Sequence, residues 1–314
     1  MKTSHQRYLL IATGMFLAAV GSVIFLFTHT PLSEAHASPA GSEKEAAPVA
    51  AASNTLSTTA SSAMTASSFP IQMPDDSSLP KAEMGEAVQL GRNLVLNTQK
   101  FAKAYVGNGL NCSSCHLNGG TVAGAAPFVG LWGVFPEYRS RTAAMGSLQA
   151  RINDCFQRSM NGKALPHDSV EMNAMLSYIW WLSKDVPTGM SLNGRGFKPV
   201  KSDQAPDLAH GLKVYAEKCA SCHGDKGEGQ QLPDGGYLFP ALWGDRSFNI
   251  GAGMARLNNA AAFVKANMPL GQGGTLSDQE AVDVAAFFTT QKRPDYAEKS
   301  KDWSKGGKPK DARY

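Results

Sequence analysis

Two copies of one five-residue motif constrain this chain more than any other feature of its sequence. Cys-x-x-Cys-His stands at residues 112–116 and again at 219–223. Two thiols three positions apart on an opening helical turn can each form a thioether bond to a porphyrin, and the adjacent imidazole then lies under the iron. The motif therefore predicts one covalently bound haem c at each copy. The prediction assigns Cys112, Cys115, Cys219 and Cys222 to haem attachment, and His116 and His223 to the two irons.

The segments around the two motifs repeat one helical plan. Apolar spacing and capping residues predict helices at 82–105 and 169–184 around the first motif, and at 207–219 and 277–288 around the second. A Leu-Trp-Gly triplet with a proline just upstream follows each motif. Duplicated domains are the simplest explanation of this repeat.

We therefore predict an all-α fold of two tandem class I cytochrome c domains, at 81–192 and 206–292, each with one covalent haem. Residues 193–205 contain Gly, Pro and Lys without an apolar pattern and are predicted to be a linker. Zinc sites and thioredoxin-like redox pairs share the Cys-x-x-Cys spacing. Two copies inside helical repeats favour haem, and a thioredoxin fold would need strands that we do not find in the sequence.

The two termini are predicted to lie outside these domains. Residues 1–37 combine basic residues, a long apolar run and a small-residue cleavage site, which indicates an export signal or an inner-membrane anchor. Residues 38–80 are rich in Ala, Ser, Thr and Pro and are predicted to be a flexible tether. We therefore expect the domains to work in the periplasm.

The chain closes on a basic tail at 293–314. Its last part, 299–314, is predicted to be a solvated terminus, with docking to a membrane or to an acidic partner as the alternative. Together with Lys292, the tail holds eight basic and four acidic residues, and the difference equals the formal net charge of the whole chain, +4. The basic charge therefore describes a tail, and we expect no nucleic-acid-binding face.

A methionine is expected as the second axial ligand of the second haem. Met268 lies 45 residues after His223, ahead of the last helix, where a class I cytochrome c places its axial methionine. A thioether ligand stabilises reduced iron and raises the haem potential. Met254 and Lys265 are the alternatives.

The first haem has two candidate sulfur ligands. Counting back from Met268 by the 107 residues that separate the two histidines leads to position 161, next to Met160. Cys155 is the one cysteine outside the motifs, with Arg151 one helical turn before it and further arginines upstream. Cationic neighbours lower a thiol's pKa and favour the thiolate, which is both a haem ligand and a nucleophile. A free cysteine is more often a small buried hydrophobic residue, so the residues alone leave Cys155 and Met160 as even candidates.

Residues 140–163, with the run Gly-Ser-Leu-Gln-Ala-Arg-Ile-Asn-Asp-Cys-Phe-Gln-Arg, resemble the di-haem thiosulfate dehydrogenase family. The resemblance extends over both haem units, about 82–292. It implies that His116 and the Cys155 thiolate hold the first haem. It also implies that Arg141 and Arg151 occupy the positions of the substrate-binding arginines.

The family further implies a reaction, in which two thiosulfates are joined into tetrathionate. Two electrons would leave through the second haem to a small partner such as a c-type cytochrome, and the reaction can in principle reverse. Some members place a lysine directly before the axial methionine of that haem; this chain has Asn267, which favours ligation by His223 and Met268. Two other functions remain open: a non-enzymatic di-haem electron carrier, and a Cys-ligated haem subunit of a sulfur-oxidising complex.

Overall fold

The computed structural model describes residues 69–314. The predicted export signal and the predicted tether up to residue 68 lie outside the described residues. Within residues 69–314, helices predominate and two short antiparallel hairpins interrupt them. No helix in this part of the chain is long and apolar enough to cross a membrane.

The first helical unit is held together by its first and last helices. In chain order its elements are α1 (Ala82–Leu96), α2 (Thr98–Phe101), α3 (Leu117–Gly120), β1 (Glu137–Arg139), β2 (Ala144–Gly146), α4 (Leu148–Arg158) and α5 (Val170–Ser183). α1 packs closely on α5 because Gly91 has no side chain: a Cβ there would lie 2.0 Å from the Ala174 carbonyl oxygen. The core between the helices contains Val88, Leu94, Met172, Met175, Tyr178 and Trp181.

The second helical unit repeats this packing. Its elements are α6 (Leu208–Lys218), α7 (Ala220–His223), β3 (Gln230–Gln231), β4 (Tyr237–Phe239), α8 (Leu257–Asn267) and α9 (Asp278–Thr290). α6 packs on α9, where a Cβ at Gly211 would lie 2.2 Å from the Asp283 carbonyl oxygen. The predicted capping box opens α9: the Ser277 hydroxyl accepts from the Glu280 N–H, and the Glu280 carboxylate accepts from the Ser277 N–H.

Two segments near the start of the first unit differ from the sequence-based predictions. The helix predicted at 82–105 ends at Leu96, because Asn97 leaves the helical conformation and the chain continues as α2 and a 3-10 turn. Residues 69–80, predicted as the end of a flexible tether, instead pack on the first core. The prediction is wrong for these residues because their polar composition obscures four apolar side chains, Phe69, Ile71, Met73 and Leu79.

The prediction of a solvated C-terminal tail is also wrong. Tyr296 and Trp303 are buried. Asp302 forms an ion pair with Arg158 of α4 in the first unit, and Asp311 forms one with an arginine of the second unit. The tail, residues 293–314, therefore runs from the end of the second unit back across the first and contacts both.

Candidate functional site

A cavity of about 750 Å³ lies beside the first Cys-x-x-Cys-His motif. Cys112, Cys115 and His116 line it, and Cys155 of α4 lines it as well. The predicted linker also contributes to the wall, through Gly194, Arg195 and Phe197. Cofactor cavities measure about 300–1,000 Å³ and are mostly apolar, and here the apolar lining includes Val95, Leu110, Phe128, Leu131, Phe156 and Ile179. The residues present therefore fit a haem attached at the motif.

The motif histidines are oriented by backbone carbonyls. Nδ1 of His116 lies 2.6 Å from the Ala126 carbonyl oxygen, and Nδ1 of His223 lies 2.8 Å from the Pro240 carbonyl oxygen. A carbonyl partner fixes the Nδ1–H tautomer and leaves Nε2 to bind a metal. Both units therefore present their histidine in the form that an axial haem ligand needs.

Cys155 lies close to His116 in the first cavity. α4 begins after Ser147, whose hydroxyl accepts from the Ala150 N–H and caps the helix. The helix places the Cys155 thiol on the wall of the cavity that His116 also lines. Met160 also lines the cavity, but it is 3% exposed and packs in the first core. Both candidate sulfur residues therefore border the cavity that His116 lines, and Met160 is the one that belongs to the core.

The surroundings of Cys155 favour the thiolate. Burial alone would raise the pKa of its thiol, but the Arg151 guanidinium and His116 together lower the pKa to about 7. Nη1 of Arg151 donates to Sγ of Cys155 at 2.8 Å. At the motif thiols the net shift is in the other direction, because burial dominates there and raises the pKa of Cys112 and of Cys115 to about 12. The sulfur outside the motifs is therefore the more acidic one.

Cys155 also lines a second cavity, of about 360 Å³. Arg151, Cys155 and Ser159 border both cavities, so the thiol stands where the two meet. The second cavity is rich in guanidinium groups, which recognise oxyanions through planar pairs of N–H donors. Five arginines line it: Arg139, Arg141, Arg151, Arg158 and Arg256.

Ion pairs distinguish these five arginines. Three of them have a close carboxylate partner: Arg139 pairs with Glu137 at 3.0 Å, Arg158 with Asp302 at 2.8 Å and Arg256 with Asp311 at 2.8 Å. Arg141 lies 3.8 Å from Asp302 and donates to the Gly251 carbonyl oxygen at 2.5 Å. Arg151 forms no ion pair within residues 69–314. Within the described residues, the two arginines predicted to bind substrate are therefore the two without a close carboxylate partner.

The second motif has a half-buried methionine beyond the end of α8. Met268 follows Asn267, the last residue of that helix, and packs against the second core. Met254, the first alternative, lines the cavity of the first motif. Lys265, the second alternative, donates to the Leu276 carbonyl oxygen at 2.5 Å and pairs with Asp278 at 2.9 Å. Of the three candidate ligands of the second haem, Met268 is therefore the one that neither lines the first cavity nor forms an ion pair.

Comparison with known proteins identifies the family of this chain. A thiosulfate dehydrogenase of Psychrobacter arcticus is 51% identical over 83% of this chain and 80% of its own length, and one of Stutzerimonas stutzeri is 49% identical over 71% and 73%. The chain belongs to the thiosulfate dehydrogenase family. The resemblance seen in the sequence is thereby confirmed, and it holds well beyond the run around Cys155.

Other matches place this family member's two domains. Residues 98–188 match the family model "SoxA/TsdA, cytochrome c domain", and residues 206–288 match "Cytochrome C oxidase, cbb3-type, subunit III". The solved thiosulfate dehydrogenase (TsdBA) from Marichromatium purpuratum is similar at 39% identity and a TM-score of 0.69 over 72% of this chain; the chain spans half the length of that protein. The prediction of two helical cytochrome c domains, each of a kind that binds haem c, is confirmed.

The sequence did not reveal the tail residues beside the site of this thiosulfate dehydrogenase family member. Asp302 contacts two of the five arginines, and Trp303 and Pro309 line the second cavity. The one available signal was aromatic: Tyr296, Trp303 and Tyr314 stand in a stretch that is otherwise polar and rich in lysine. Because a solvated tail has no use for such side chains, their spacing could have indicated a docked segment.

Proposed function

We propose that this protein joins two thiosulfate ions into tetrathionate. The observation that carries the proposal is the position of Cys155, at the boundary between the cavity of the first motif and the arginine-lined cavity, with Arg151 donating to its sulfur. A sulfur in this position can meet an oxyanion on one side while it remains beside the redox cofactor on the other. An electron carrier without an active site would need neither the second cavity nor the acidic thiol.

Two covalent haems form the redox part of the proposal. Cys112 and Cys115 would attach the first haem, and His116 and Cys155 would hold its iron. Cys219 and Cys222 would attach the second, and His223 and Met268 would hold its iron. When bound, the haems supply one-electron acceptors for the two electrons that the sulfur chemistry releases.

The sulfur chemistry takes place on Cys155 in two steps. In the first, the thiolate and the terminal sulfur of thiosulfate form a disulfide bond, giving Cys155–S–S–SO₃⁻ with the release of two electrons. In the second, another thiosulfate attacks that disulfide, which forms tetrathionate and returns the Cys155 thiolate. No proton is taken up or released in either step. The sequence can run backward from tetrathionate when a reductant supplies the two electrons.

Arg141 and Arg151 bring the anions together. Each thiosulfate carries two negative charges, so two of them repel one another and the thiolate. Guanidinium groups offset this repulsion and hold sulfonate oxygens through paired N–H donors. Burial and the nearby Arg158 lower the pKa of Arg141, and a bound dianion would favour its charged form.

We propose that the electrons leave through the second domain to a small one-electron partner such as a c-type cytochrome. The N-terminal signal or anchor would place the enzyme in the periplasm, free or tethered to the inner membrane. The two cytochrome c domains support this order, because the acidic thiol and the arginine-lined cavity belong to the first domain, while His223 and Met268, the ligands proposed for the second haem, belong to the second.

The direct test is turnover by the purified holoprotein. Thiosulfate with ferricyanide should yield one tetrathionate for every two ferricyanides reduced, and tetrathionate with a reductant should yield thiosulfate. If both haems exchange electrons with redox mediators but neither reaction occurs, the proposal is wrong, and the protein is an electron carrier or a haem subunit that needs a partner.

A further inference from the structure

The C-terminal tail contacts both the backbone and the side chain of Arg141. The backbone N–H of Trp303 donates to the Arg141 carbonyl oxygen at 2.7 Å. The carbon at the centre of the Arg141 guanidinium lies 4.8 Å from the centroid of the Trp303 ring. Arg141 and Trp303 are 162 positions apart in the sequence. The arginine therefore rests on a segment that arrives from the far end of the chain.

Asp302 fixes this segment to the helix that carries Cys155. Its side chain is 3% exposed and accepts two hydrogen bonds from Arg158 of α4, at 2.8 and 2.9 Å. The hydroxyl of Tyr314 donates to the same carboxylate. A buried carboxylate with a bidentate guanidinium partner is held in one geometry. Trp303, the next residue, is thereby held at a constant distance from α4.

The backbone of Trp303 shows how closely this geometry is specified. Its φ angle is +56°, in the left-handed region that bulky side chains rarely adopt. The residue is nonetheless buried, with 8% of its surface exposed. The turn directs the indole ring toward Arg141, and Pro309, farther along the tail, lines the second cavity beside it.

We propose that Asp302 and Trp303 are positioning residues for thiosulfate binding. Asp302 holds the tail on α4, and Trp303 provides the surface on which the Arg141 guanidinium lies, so that Arg141 faces the cavity next to Cys155. The proposal rests on the proposed function, because it assigns to Arg141 an anion that the enzyme binds. It makes the tail part of the binding site, although the tail does not contact the reacting sulfur.

A purely electrostatic role of Asp302 would change the thiosulfate KM in the opposite direction. If the carboxylate acts only by reducing the positive potential of the cavity, its neutralisation should tighten the binding of a dianion. If it acts by positioning, its neutralisation should weaken binding, because Arg158 and the tail lose their fixed geometry. The direction of the change in KM therefore separates the two roles.

The experiment compares four full-length holoprotein variants in thiosulfate oxidation with ferricyanide. Trp303→Leu removes the ring, Trp303→Phe retains an aromatic face, and Asp302→Asn removes the charge at nearly constant shape. Asp295→Asn is the matched control, because it is the same substitution in the same tail at an exposed carboxylate that pairs with Lys299. The absorption spectrum of the first haem and the thermal midpoint are recorded for each variant.

The proposal predicts a specific split between KM and kcat. Trp303→Leu should raise the thiosulfate KM about tenfold while kcat changes less than about threefold, and Trp303→Phe should restore most of the affinity. Asp302→Asn should raise KM about fivefold or more, Asp295→Asn should leave it unchanged, and the spectrum of the first haem should be the same in all. A purely structural tail would lower the thermal midpoint without this split.

Two results would overturn the inference while leaving the proposed function in place. One is an unchanged KM in Trp303→Leu; the other is a lower KM in Asp302→Asn. If Trp303→Leu does not accumulate as a folded holoprotein, Trp303→Phe and Asp302→Asn still decide the matter. Absence of thiosulfate turnover in the unmodified protein is a different result, because it contradicts the proposed function itself.

Discussion

The position of one guanidinium sets the chemical character of Cys155. A buried thiol would ordinarily stay protonated, as the raised pKa values of Cys112 and Cys115 show. Arg151 stands one helical turn before Cys155 on α4, so the helix itself brings the charge to the sulfur. The geometry of α4 thus places the Arg151 guanidinium where it favours the Cys155 thiolate.

Replacing Arg151 with alanine should impair thiosulfate oxidation. A hydrogen bond to a charged group contributes about 1.5–3 kcal/mol, so kcat/KM should fall by about 10- to 150-fold, mostly through KM. Steady-state kinetics with ferricyanide measure the change. Arg92→Ala is the control, because its ion pair with Asp76 is exposed at the surface. Equal losses in both variants would show that Arg151 has no particular role.

Replacing Met268 with glycine should lower the reduction potential of the second haem. A thioether ligand favours reduced iron, and its loss removes that preference. A redox titration followed by absorption should show the shift while the spectrum of the first haem stays unchanged. Met254→Leu should not move the second potential, because Met254 lines the first cavity. A change confined to the first haem would mean that Met268 has been assigned to the wrong haem.

At the scale of elements, Asp283 holds the second unit together. Its side chain is 1% exposed and accepts hydrogen bonds from the Asp207 N–H at the start of α6, from the His210 ring and from Gln279. Burial would raise the pKa of Asp283, but these hydrogen bonds lower it below its ordinary value of 3.8. One carboxylate on α9 therefore fixes the beginning of α6.

The contribution of Asp283 to stability should depend on pH. A carboxyl group whose folded-state pKa is lowered stabilises the fold above its unfolded pKa, and the effect disappears as the pH falls through the folded pKa. Asp283→Asn should therefore cost about 1–3 kcal/mol at neutral pH, and the difference from wild type should shrink in acid. Denaturant unfolding over a pH series measures it. A difference that stays constant down to the lowest pH would contradict this assignment.

The elements that could be predicted are those with local signals. Apolar spacing predicted α5, and the Ser277 capping box predicted the start of α9, because each of these patterns is contained in a short stretch of sequence. The break at Asn97 was missed because a single non-helical residue does not disturb the apolar spacing on either side. The close contacts at Gly91 and Gly211 pair residues more than 70 positions apart, which no local pattern shows.

The candidate site could be predicted only in part for the same reason. Cys155 and Arg151 share one helix, so their proximity follows from spacing of four residues. The contacts that complete the site are long-range: Arg141 reaches Gly251 across 110 positions and Arg158 reaches Asp302 across 144. The tail was therefore interpreted from its basic and polar composition. The few aromatic and acidic residues that hold it in place are too sparse to form a recognisable pattern.

At the scale of the whole molecule, the two motifs should each carry a covalent haem. The mass of the denatured protein should exceed that of the mature polypeptide by two haem groups, because thioether bonds survive denaturation. Cys219→Ala with Cys222→Ala should reduce the increase to one haem. Mass spectrometry checks both results, and an increase of a single haem in the unmodified protein would contradict the assignment of one haem to each domain.

The central claim is that the Cys155 thiolate is both the axial ligand of the first haem and the nucleophile. The measurement that tests it most directly is tetrathionate formation by Cys155→Gly and Met160→Gly, with the spectrum of the first haem recorded for both. We expect Cys155→Gly to retain both haems, to lose the thiolate-ligated spectrum and to lose turnover by about three orders of magnitude or more, while Met160→Gly changes far less. Near-wild-type turnover in Cys155→Gly, together with loss of the first haem's ligand in Met160→Gly, would contradict the claim.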